Sequence, residues 1–503
     1  MKYQIIKRMR KTIERNEGYD AIVVVASSAN YRYWEWRLSA TKDKILPKKT
    51  KIICVDEDWE GGAGQLLGTL YAFKKAQRKF NLEKLLKNGG AVAFYHTAGY
   101  GKRMAPLCGT EGNNKPAIKL PSPLETKEGK TLLTLLEAVI FSTQIFAKTR
   151  EGRISVFWGD QVIIPSRTPK RETKLPVEIF GIKKEFVLTP REWRRNWQSY
   201  GILIPRKGGG VLQREKLKWK KVKSLLEKGI IKTDSEGRVK IAKSMGCFSV
   251  SFEFFKELLK EFSKELELKN RKLDTDPHLW MPLTSTKREY VDEGGSVIYW
   301  QRIKKLKERL KRKFQKKFLI GEKNLGKDTL WWDYGNLAIY HKNILKLLEN
   351  SDEGEAARAF YGVENYLVKR KKEKNLKIRN SILINSEVSG EIKNSVIVNS
   401  KIKKASLEKA VLINSQVGKI KGKNLLLYYV NNGKRKMKVL PNEVVTDIVL
   451  GEGTKIRMRT SLLRDSKKDW TVRLPQNPFS YSEIERCLAR LADDAFKWRV
   501  NKI

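Results

Sequence analysis

Three copies of a short unit follow one another in the C-terminal part of the chain. Residues 378–386 (IRNSILINS), 392–400 (IKNSVIVNS) and 407–415 (LEKAVLINS) share an apolar stretch that ends in Asn-Ser, and their starts are 14 and 15 residues apart. A repeat of this kind is typical of β-strands stacked in successive coils. Asn suits the corners of such coils because it tolerates the left-handed backbone conformation. The repeat therefore predicts a short β-solenoid, a β-helix-like domain, over residues 375–460.

Short apolar runs alternate with helical patterns in the N-terminal part of the chain. Residues 21–26 (AIVVVA) and 51–55 (KIICV) have the length and β-branched content of buried strands. Residues 90–95 (GAVAFY) and 154–160 (ISVFWGD) follow the same pattern. The alternation predicts an α/β domain with a mostly parallel sheet. In such sheets ligands bind beyond the carboxyl ends of the strands, so we expect a site there.

Two basic segments punctuate the chain. Residues 301–318 (QRIKKLKERLKRKFQKKF) have a helical composition and are expected to form a basic insertion in the first domain. Residues 346–374 are expected to be a helical, basic linker, ending in the charged hinge 368–374 (VKRKKEK). A C-terminal segment, residues 461–503, is expected to end in a helix.

The charge of the chain is strongly unbalanced, with 104 Lys and Arg against 56 Asp and Glu and a formal net charge of +48. A field of this sign attracts polyanions. The expected partners are nucleic acid, an anionic membrane surface or phosphorylated small substrates. A lysine-rich solvated surface without a specific partner is an equal alternative, because charge alone does not choose among these.

The composition argues against several other classes of protein. Hydrophobic residues make up 40% of the chain, too many for a disordered protein, and no apolar run reaches the ~18 residues of a membrane span. The start of the chain lacks the apolar segment of a secretory signal, so a cytoplasmic location is expected. None of the cysteines has zinc-site spacing. They lie far apart, at Cys54, Cys108, Cys247 and Cys487.

A glycine-rich loop follows the third expected strand. In residues 98–106 (AGYGKRMAP) the glycines allow backbone N–H groups to approach phosphate oxygens. Arg103 and Lys115, the latter in the Asn-Lys-Pro that follows, are placed to clamp those phosphates. A tight turn without a ligand is the alternative. The residues expected to bind the nucleotide are Ala98, Gly99, Gly101 and Lys102.

This loop resembles the signature of sugar-nucleotide pyrophosphorylases, G-G-x-G-T-R-L-x-P with a later P-K-P. Further matches follow in the family's order: 156–160 (VFWGD) resembles its strand with Gly-Asp, 210–216 (GVLQREK) its G-x-V-x-x-F-x-E-K-P, and 331–336 (WWDYGN) its W-x-D-x-G-T. A β-coil tail is also common in this family. The resemblance implies a Rossmann-like nucleotidyltransferase domain with a mixed, mostly parallel sheet over residues 1–345.

The same resemblance implies a chemistry. Asp160 and Asp333 would hold Mg²⁺, a hard cation that prefers oxygen ligands, and Lys216 would hold the sugar phosphate. Arg103 and Lys115 would steady the triphosphate and the departing pyrophosphate. The implied substrates are a nucleoside triphosphate and a sugar 1-phosphate, which join to form a nucleoside-diphosphate sugar.

One branch of the family is more similar near the N-terminus. Residues 61–70 (GGAGQLLGTL) and 96–100 (HTAGY) resemble, in order, the glycine-rich and His-Ala-Gly-Gly segments of the fucose-1-phosphate guanylyltransferase group, which is linked to fucokinases. GTP and fucose 1-phosphate are the substrates that this branch suggests. The glycine loop departs from the family at Ala98, where the family has glycine, and at Lys102, where it has threonine.

Each candidate residue also has a structural interpretation. Asp160 at a strand end suits a turn cap, Asp333 between aromatic residues suits a buried structural acid, and Lys216 suits a solvated surface. Residues 274–280 (DTDPHLW) hold two carboxylates and a histidine. They are a turn, an accessory to the metal site or a substrate contact, and we favour the turn.

Two functions of different class therefore stay open. The first is a Mg²⁺-dependent nucleotidyltransferase. The second is a catalytically inactive relative whose basic surface binds nucleic acid or an anionic membrane. The two retained aspartates favour the enzyme, and the altered glycine loop together with the charge favours the binding protein. A homo-oligomer is a further expectation, because β-coil tails often pack against copies of themselves.

Overall fold

A computed structural model shows the fold of the chain. It describes residues 2–99, 101–126, 128–170, 175–418, 420, 422–450 and 454–490. Within these residues the protein is a mixed α/β structure in which parallel strand pairs predominate.

The strands of the N-terminal part form one large sheet and two small ones. Their bounds are β1 (Ala21–Ala26), β2 (Lys51–Asp56), β3 (Val92–His96), β4 (Lys119–Thr126), β5 (Gly129–Thr134), β6 (Arg153–Trp158), β7 (Gln161–Ile164), β8 (Val177–Val187), β9 (Gly201–Pro205), β10 (Val211–Glu215), β11 (Arg238–Ser251), β12 (Ile320–Asn324) and β13 (Leu330–Asp333). The large sheet runs β10-β9-β11-β6-β3-β1-β2. Its members β6, β3, β1 and β2 are parallel, and β11 is antiparallel to β6, β8 and β9. The four strands expected from the sequence are confirmed as β1, β2, β3 and β6.

Helices cover this sheet and connect its strands. They are α1 (Lys2–Glu14), α2 (Tyr31–Ala40), α3 (Lys42–Ile45), α4 (Gly64–Lys79), α5 (Leu82–Lys87), α6 (Leu107–Thr110), α7 (Leu135–Thr143), α8 (Pro190–Asn196), α9 (Trp219–Glu227), α10 (Phe252–Glu261), α11 (Ser263–Leu268), α12 (Met281–Thr284), α13 (Lys287–Asp292), α14 (Val297–Phe314), α15 (Leu337–Leu345), α16 (Asp352–Tyr361) and α17 (Tyr481–Arg490). The basic segment is helical as expected, but α14 begins before it and ends at Phe314. In the ranges described, none of the helices combines the length and apolar content that a bilayer crossing requires.

The side chains of β1 show how the large sheet is buried. Ile22 and Val24 pack in a core cluster with residues of α1 and α7, whereas Val23 and Val25 pack in a second cluster with residues of α4. Successive side chains of a strand point to opposite faces, so helices cover both faces here. The carboxyl ends of the parallel strands then meet at one edge, where their loops form a common surface.

The strands of the C-terminal part form a second large sheet. They are β14 (Leu367–Glu373), β15 (Leu376–Ile384), β16 (Glu387–Lys393), β17 (Ser395–Val398), β18 (Lys401–Glu408), β19 (Ala410–Ile413), β20 (Gln416–Gly418), β21 (Gly422–Lys423), β22 (Leu426–Tyr428), β23 (Asn431–Lys436), β24 (Glu443–Val449) and β25 (Lys455–Ser461). One parallel ladder aligns Ile382 with Val396, Val396 with Val411, Val411 with Leu426 and Leu426 with Val444. Each copy of the sequence repeat therefore stacks on the copy before it.

Asparagines stand at the corners of these stacked strands. Asn380, Asn394, Asn424 and Asn442 have φ values of 43°, 46°, 50° and 59°, in the left-handed region that Asn tolerates. Lys409 occupies the corresponding position of the third copy, with φ 52°. The asparagines of the predicted Asn-Ser turns, Asn385, Asn399 and Asn414, are also left-handed, with φ values of 46°, 47° and 47°, so the role predicted for Asn at these turns is confirmed.

Residues 368–374 form a strand rather than the expected hinge. Strand β14 is antiparallel to β15, with Lys371 aligned to Ile378. Its Lys and Arg side chains are exposed, a common arrangement at sheet edges because charge discourages further strand pairing. The segment 346–374 is therefore helical only in part, chiefly in α16.

The C-terminal segment ends, as far as it is described, in α17. Ser480 begins this helix, because its hydroxyl accepts a hydrogen bond from Glu483 N (3.3 Å) while the Glu483 carboxylate accepts one from Ser480 N (2.7 Å). The predicted continuation of the helix after residue 490 lies outside the described residues.

Candidate functional site

A tight turn after β6 places Asp160 at the carboxyl edge of the sheet. Gly159 N donates a hydrogen bond to the carbonyl oxygen of His96, 3.0 Å away, at the end of β3. A Cβ atom on Gly159 would lie 2.9 Å from Thr97 Cγ2 and 3.0 Å from the His96 oxygen. Glycine is therefore what allows the two strand ends to approach so closely. The approach brings Asp160 beside the loop that follows β3.

Strand pairing brings Asp333 to Asp160 from a distant part of the chain. Strands β7 and β13 are antiparallel, with Asp333 aligned to Gln161. Tyr334 N donates to the carbonyl oxygen of Asp160 at 3.0 Å. Beyond the strand, Asn343 Nδ2 donates to the carbonyl oxygen of Asp333 at 2.7 Å, which fixes the backbone there. The two predicted metal ligands are thus neighbours.

The pKa of Asp333 reflects its burial and the charged side chains near it. Burial raises the pKa of Asp333, and the negative charge of Asp160 raises it further. The positive charges of Lys115 and Arg103 act in the opposite direction. Four residues that the sequence analysis selected from separate motifs therefore act on one another in a single site.

Lys115 is held close to both the glycine loop and Asp160. It begins a 3₁₀ turn (Lys115–Ala117), and its ammonium group contacts the Asp160 carboxylate, with both side chains largely buried. Gly101 has φ 64°, and a Cβ atom there would lie 2.8 Å from Lys115 Cβ. The glycine thus provides both the left-handed conformation and the space against which Lys115 packs.

The predicted nucleotide-binding residues lie along one loop, and most of them are half-buried. Gly99 is exposed, with open space where a Cβ would be, and Ala98 is half-buried. Arg103 is exposed beside them. The Lys102 ammonium lies 5.0 Å from the centre of the Trp470 ring, so Lys102 faces the C-terminal segment. Tyr100 lies outside the described residues.

Lys216 lies at a second cluster, at the end of β10. Its backbone is left-handed, with φ 45°, a conformation that is uncommon for lysine and is found most often where the surroundings impose it. Its backbone N–H donates to Tyr200 O at 3.2 Å. The side chain is exposed and acts electrostatically on Glu215 and Asp276.

The sequence predictions gave no role to Glu215 and favoured a turn for the segment that holds Asp276, but Lys216 acts electrostatically on both side chains. Burial raises the pKa of Asp276 well above its usual value, and Glu215 and Asp274 raise it further, whereas Lys216 lowers it. Burial also raises the pKa of Glu215. Asp276 begins a π-helical turn (Asp276–Trp280), so the expectation of a simple turn there is wrong. The available signal was the pair of carboxylates before a proline.

A bulge in β11 lies between two groups of charged residues. The first contains Lys216, Glu215 and Asp276, and the second contains Asp160, Asp333 and Lys115. The register of β11 against β8 shifts between Ser244 and Phe248. Within the bulge Gly246 has φ 70°, and a Cβ atom there would lie 2.8 Å from Trp158 Nε1. Burial raises the pKa of the neighbouring Cys247 to about 12, and the charges of Asp160 and Asp276 contribute to that shift. The two clusters therefore flank the same residue.

His96 does not belong to the charged groups of the site. Its Nε2 lies 2.8 Å from Thr69 Oγ1, and burial lowers its pKa to about 4. The imidazole is therefore neutral near pH 7 and hydrogen-bonded, as a structural histidine is.

The donor set at Asp160 and Asp333 fits Mg²⁺. In the part of the chain that is described, no group of three or more His, Cys, Asp and Glu side chains is placed to hold a metal ion. Two carboxylates are a sufficient protein contribution for Mg²⁺, which completes its shell with waters and substrate phosphate oxygens. Asp160 and Asp333 are therefore oxygen donors of the kind that Mg²⁺ prefers.

The C-terminal segment packs against the elements that carry Arg103 and Lys115. Ser466 Oγ donates to Ala105 O at 2.8 Å, and Asn113 Nδ2 donates to Glu485 O at 3.1 Å. Trp470, Tyr481 and residues of α17 form a core cluster with Ala105 and Cys108. This segment therefore stabilises the conformation of the glycine loop.

Comparison with known proteins does not assign the chain to a family. No protein-family model and no curated protein matches the chain.

Proposed function

We propose that the protein is a Mg²⁺-dependent sugar-1-phosphate nucleotidyltransferase. The observation that carries the proposal is the meeting of Asp160 and Asp333, from distant strands, beside Lys115 and Arg103 at the edge of the sheet. Paired carboxylates next to cations are what a site needs to hold a metal ion and a polyphosphate together. GTP and fucose 1-phosphate are the first substrates to test.

The proposed reaction requires positioning and charge neutralisation rather than a base. An oxygen of the sugar phosphate forms a bond to the α-phosphorus of the nucleoside triphosphate. The bond from that phosphorus to the bridging oxygen breaks, and pyrophosphate leaves with the electron pair. The attacking oxygen is already an anion, so no side chain has to remove a proton. This agrees with a site whose nearby histidine, His96, is neutral and hydrogen-bonded to Thr69.

Each charged residue then has a stated task. Asp160 and Asp333 would hold Mg²⁺, which supplies neutralisation of the phosphate charge when bound. Lys115 and Arg103 bind the triphosphate and stabilise the departing pyrophosphate. Lys216, which acts electrostatically on Glu215 and Asp276, would bind the phosphate of the incoming sugar.

We extend the proposal to the two sheets. The parallel part of the first sheet, with ligand loops at its carboxyl edge, supports a Rossmann-like nucleotidyltransferase domain over residues 1–345. The parallel ladder at a repeat of 14 to 15 residues, with Asn at its corners, supports a short β-solenoid over residues 375–460.

A pyrophosphate-release assay tests the function. The purified chain with Mg²⁺ is screened with the common nucleoside triphosphates against a panel of sugar 1-phosphates that includes fucose 1-phosphate. We expect release with at least one pair. Asp160→Asn and Asp333→Asn should each reduce it by about a hundredfold or more, because metal stabilisation of charge is worth several kcal/mol.

Asp56→Asn is the matched control. Asp56 lies at the carboxyl end of β2, a position similar to that of Asp160 after β6, but it forms an ion pair with Lys75 at 2.7 Å. The Asp56→Asn variant should therefore retain most of the activity. Absence of pyrophosphate release with every pair, or full activity of Asp160→Asn, would overturn the proposal.

A further inference from the structure

Helix α14 has one side whose positive charges are neutralised. Arg302 Nε lies 2.8 Å from the Glu261 carboxylate, and Arg309 lies 3.0 Å from the same group. Lys313 lies 2.8 Å from Glu257. Cations on this side of the basic helix therefore serve the packing of α14 against α10 and α11.

The opposite side of α14 faces a cavity of about 400 Å³ with many uncompensated cations. Lys307 and Lys311 line it from the helix, Arg206 and Lys207 from the loop between β9 and β10, and Lys317 from the segment after the helix. Lys311 pairs with Glu308 at 3.3 Å. Throughout the described chain the other four have no ion pair with a carboxylate.

The floor of this cavity is apolar and well ordered by packing. Val211, Leu283, Leu319 and Ile320 line it and are buried. Phe318 packs so closely on the β9–β10 loop that a Cβ atom on Gly210 would lie 2.4 Å from its ring. The same ring lies 5.4 Å from the Arg206 guanidinium and 5.7 Å from Lys317. These contacts hold cations from separate segments around one space.

Such a concentration of like charge is unfavourable without a ligand. Burial lowers the pKa of Lys307, and Lys311, Arg206 and Lys304 lower it further, whereas Glu308 acts in the opposite direction. The electrostatic repulsion among these groups is relieved when an anion enters, because each cation then has a partner. An anion with several charges should bind most strongly, since it contacts several cations at once.

We propose that this cavity is a binding site for a compact, multiply charged phosphate compound, an oligophosphate. The cations converge from three segments on one concave space, which suits a compact anion better than the extended backbone of a nucleic acid. The site is separate from the candidate active site. Val211, at the start of β10, lines the cavity, whereas Glu215, at the end of the same strand, lies beside Lys216. Four residues of a strand span about 13 Å, which separates the two sites. The proposal does not depend on the proposed reaction.

Lysine footprinting on the full chain tests the site with inorganic tripolyphosphate as the probe. The protein is acetylated briefly with and without the probe, and the modification of each lysine is measured by mass spectrometry. We expect severalfold protection of Lys207, Lys307 and Lys317, and none of Lys305, which is exposed on the same helix but does not line the cavity. The footprint is read residue by residue, so binding of the probe in the candidate active site does not enter the result.

A pair of matched variants gives the second measurement. Arg206→Gln with Lys307→Gln removes two cavity cations and should weaken tripolyphosphate binding at this site about tenfold or more, since two charge-assisted contacts are lost. Arg309→Gln with Lys313→Gln removes the same charge from the neutralised side of α14 and should leave protection of Lys207 and Lys317 unchanged.

Three outcomes would overturn the proposal. The first is a footprint that tripolyphosphate leaves unchanged. The second is an equal loss of binding in both double variants, which would indicate a diffuse charge effect. The third is protection of Lys305 together with the cavity lysines by a single-stranded RNA but not by tripolyphosphate, which would identify an extended polyanion as the ligand.

Discussion

The ammonium group of Lys115 contacts the carboxylate of Asp160, and its positive charge opposes the rise that burial causes in the pKa of Asp333. Lys115 thus lies against the pair of acids that we propose to hold Mg²⁺, and Arg103 acts on Asp333 in the same sense. Coulombic attraction to Lys115 stabilises the two carboxylates in their ionised form. A metal ion held by these acids would compete with this contact and would free Lys115 to contact a phosphate group.

This competition predicts opposite effects of one substitution on two measurements. Lys115→Gln should tighten Mn²⁺ binding severalfold, because the acids lose their resident cation, while it lowers pyrophosphate release, because the triphosphate loses a contact. Titration of Mn²⁺ by electron paramagnetic resonance measures the affinity. Weaker Mn²⁺ binding in the variant would show that Lys115 helps to hold the metal site in place instead.

Lys102→Gln is the control for that experiment. It removes the same charge from the neighbouring turn, but the Lys102 ammonium lies 5.0 Å from the Trp470 ring. Its Mn²⁺ affinity should equal that of the wild type.

Asp333 makes the stability of the protein depend on pH. Burial and the charge of Asp160 raise its pKa in the folded state. As pH rises above the ordinary Asp pKa, the unfolded chain ionises first, so the folded state loses stability until the pH passes the raised pKa. The Asp333→Asn variant has no titratable carboxyl group at this position. Its free energy of unfolding relative to the wild type should therefore rise through this window and stay higher above it.

Chemical denaturation over a series of pH values measures this difference. Added Mg²⁺ should then stabilise the wild type and not Asp333→Asn, because binding to the folded state alone raises its stability. A difference between the two proteins that does not change with pH would contradict the assigned environment of Asp333.

Local sequence patterns predicted the parts of the fold that depend on local physics. The run AIVVVA gave β1 because both faces of the strand are buried, so all its residues are apolar. The Asn-Ser repeat predicted the stacked strands because left-handed corners favour Asn at fixed intervals. The charged run at 368–374 was misinterpreted, since an exposed edge strand has the composition of a linker.

The candidate site depended on contacts that no local pattern contains. Asp333 adjoins Asp160 because β13 pairs with β7, and periodicity does not specify which distant strand is the partner. The prediction that Asp160 and Asp333 lie together came only from motifs that follow one another in the order of the family that the chain resembles. The turn was favoured for residues 274–280, and Glu215 was given no role, because a π-helical turn and a strand end bring Asp276 and Glu215 together only in three dimensions.

Gly159→Ala should disrupt the site through packing alone. The added Cβ would meet Thr97 Cγ2 at 2.9 Å and the His96 carbonyl oxygen at 3.0 Å, so the turn that carries Asp160 must move. Overpacking of this kind typically costs about 1–3 kcal/mol. We expect a lower melting temperature together with weaker Mn²⁺ binding.

Gly99→Ala is the matched control for the packing effect. Open space surrounds the position of its Cβ, so the melting temperature should not change. A stable Gly159→Ala protein with wild-type Mn²⁺ affinity would show that Asp160 does not depend on this close approach.

The corners of the stacked strands allow a reciprocal exchange of residues. Asn394 and Lys409 are aligned in successive copies and have φ values of 46° and 52°, but Asn tolerates this conformation better than Lys. Lys409 is exposed, and its carbonyl oxygen, which accepts a hydrogen bond from His341 Nε2 at 2.8 Å, is backbone that a substitution retains. Lys409→Asn should therefore raise the free energy of unfolding by about 0.5–1 kcal/mol. Asn394→Lys should lower it by more, because it also removes the 3.1 Å hydrogen bond between Asn380 and Asn394. Calorimetry on both variants measures the two shifts, and a loss of stability in Lys409→Asn would show that the lysine side chain, and not the backbone conformation, decides the preference at this corner.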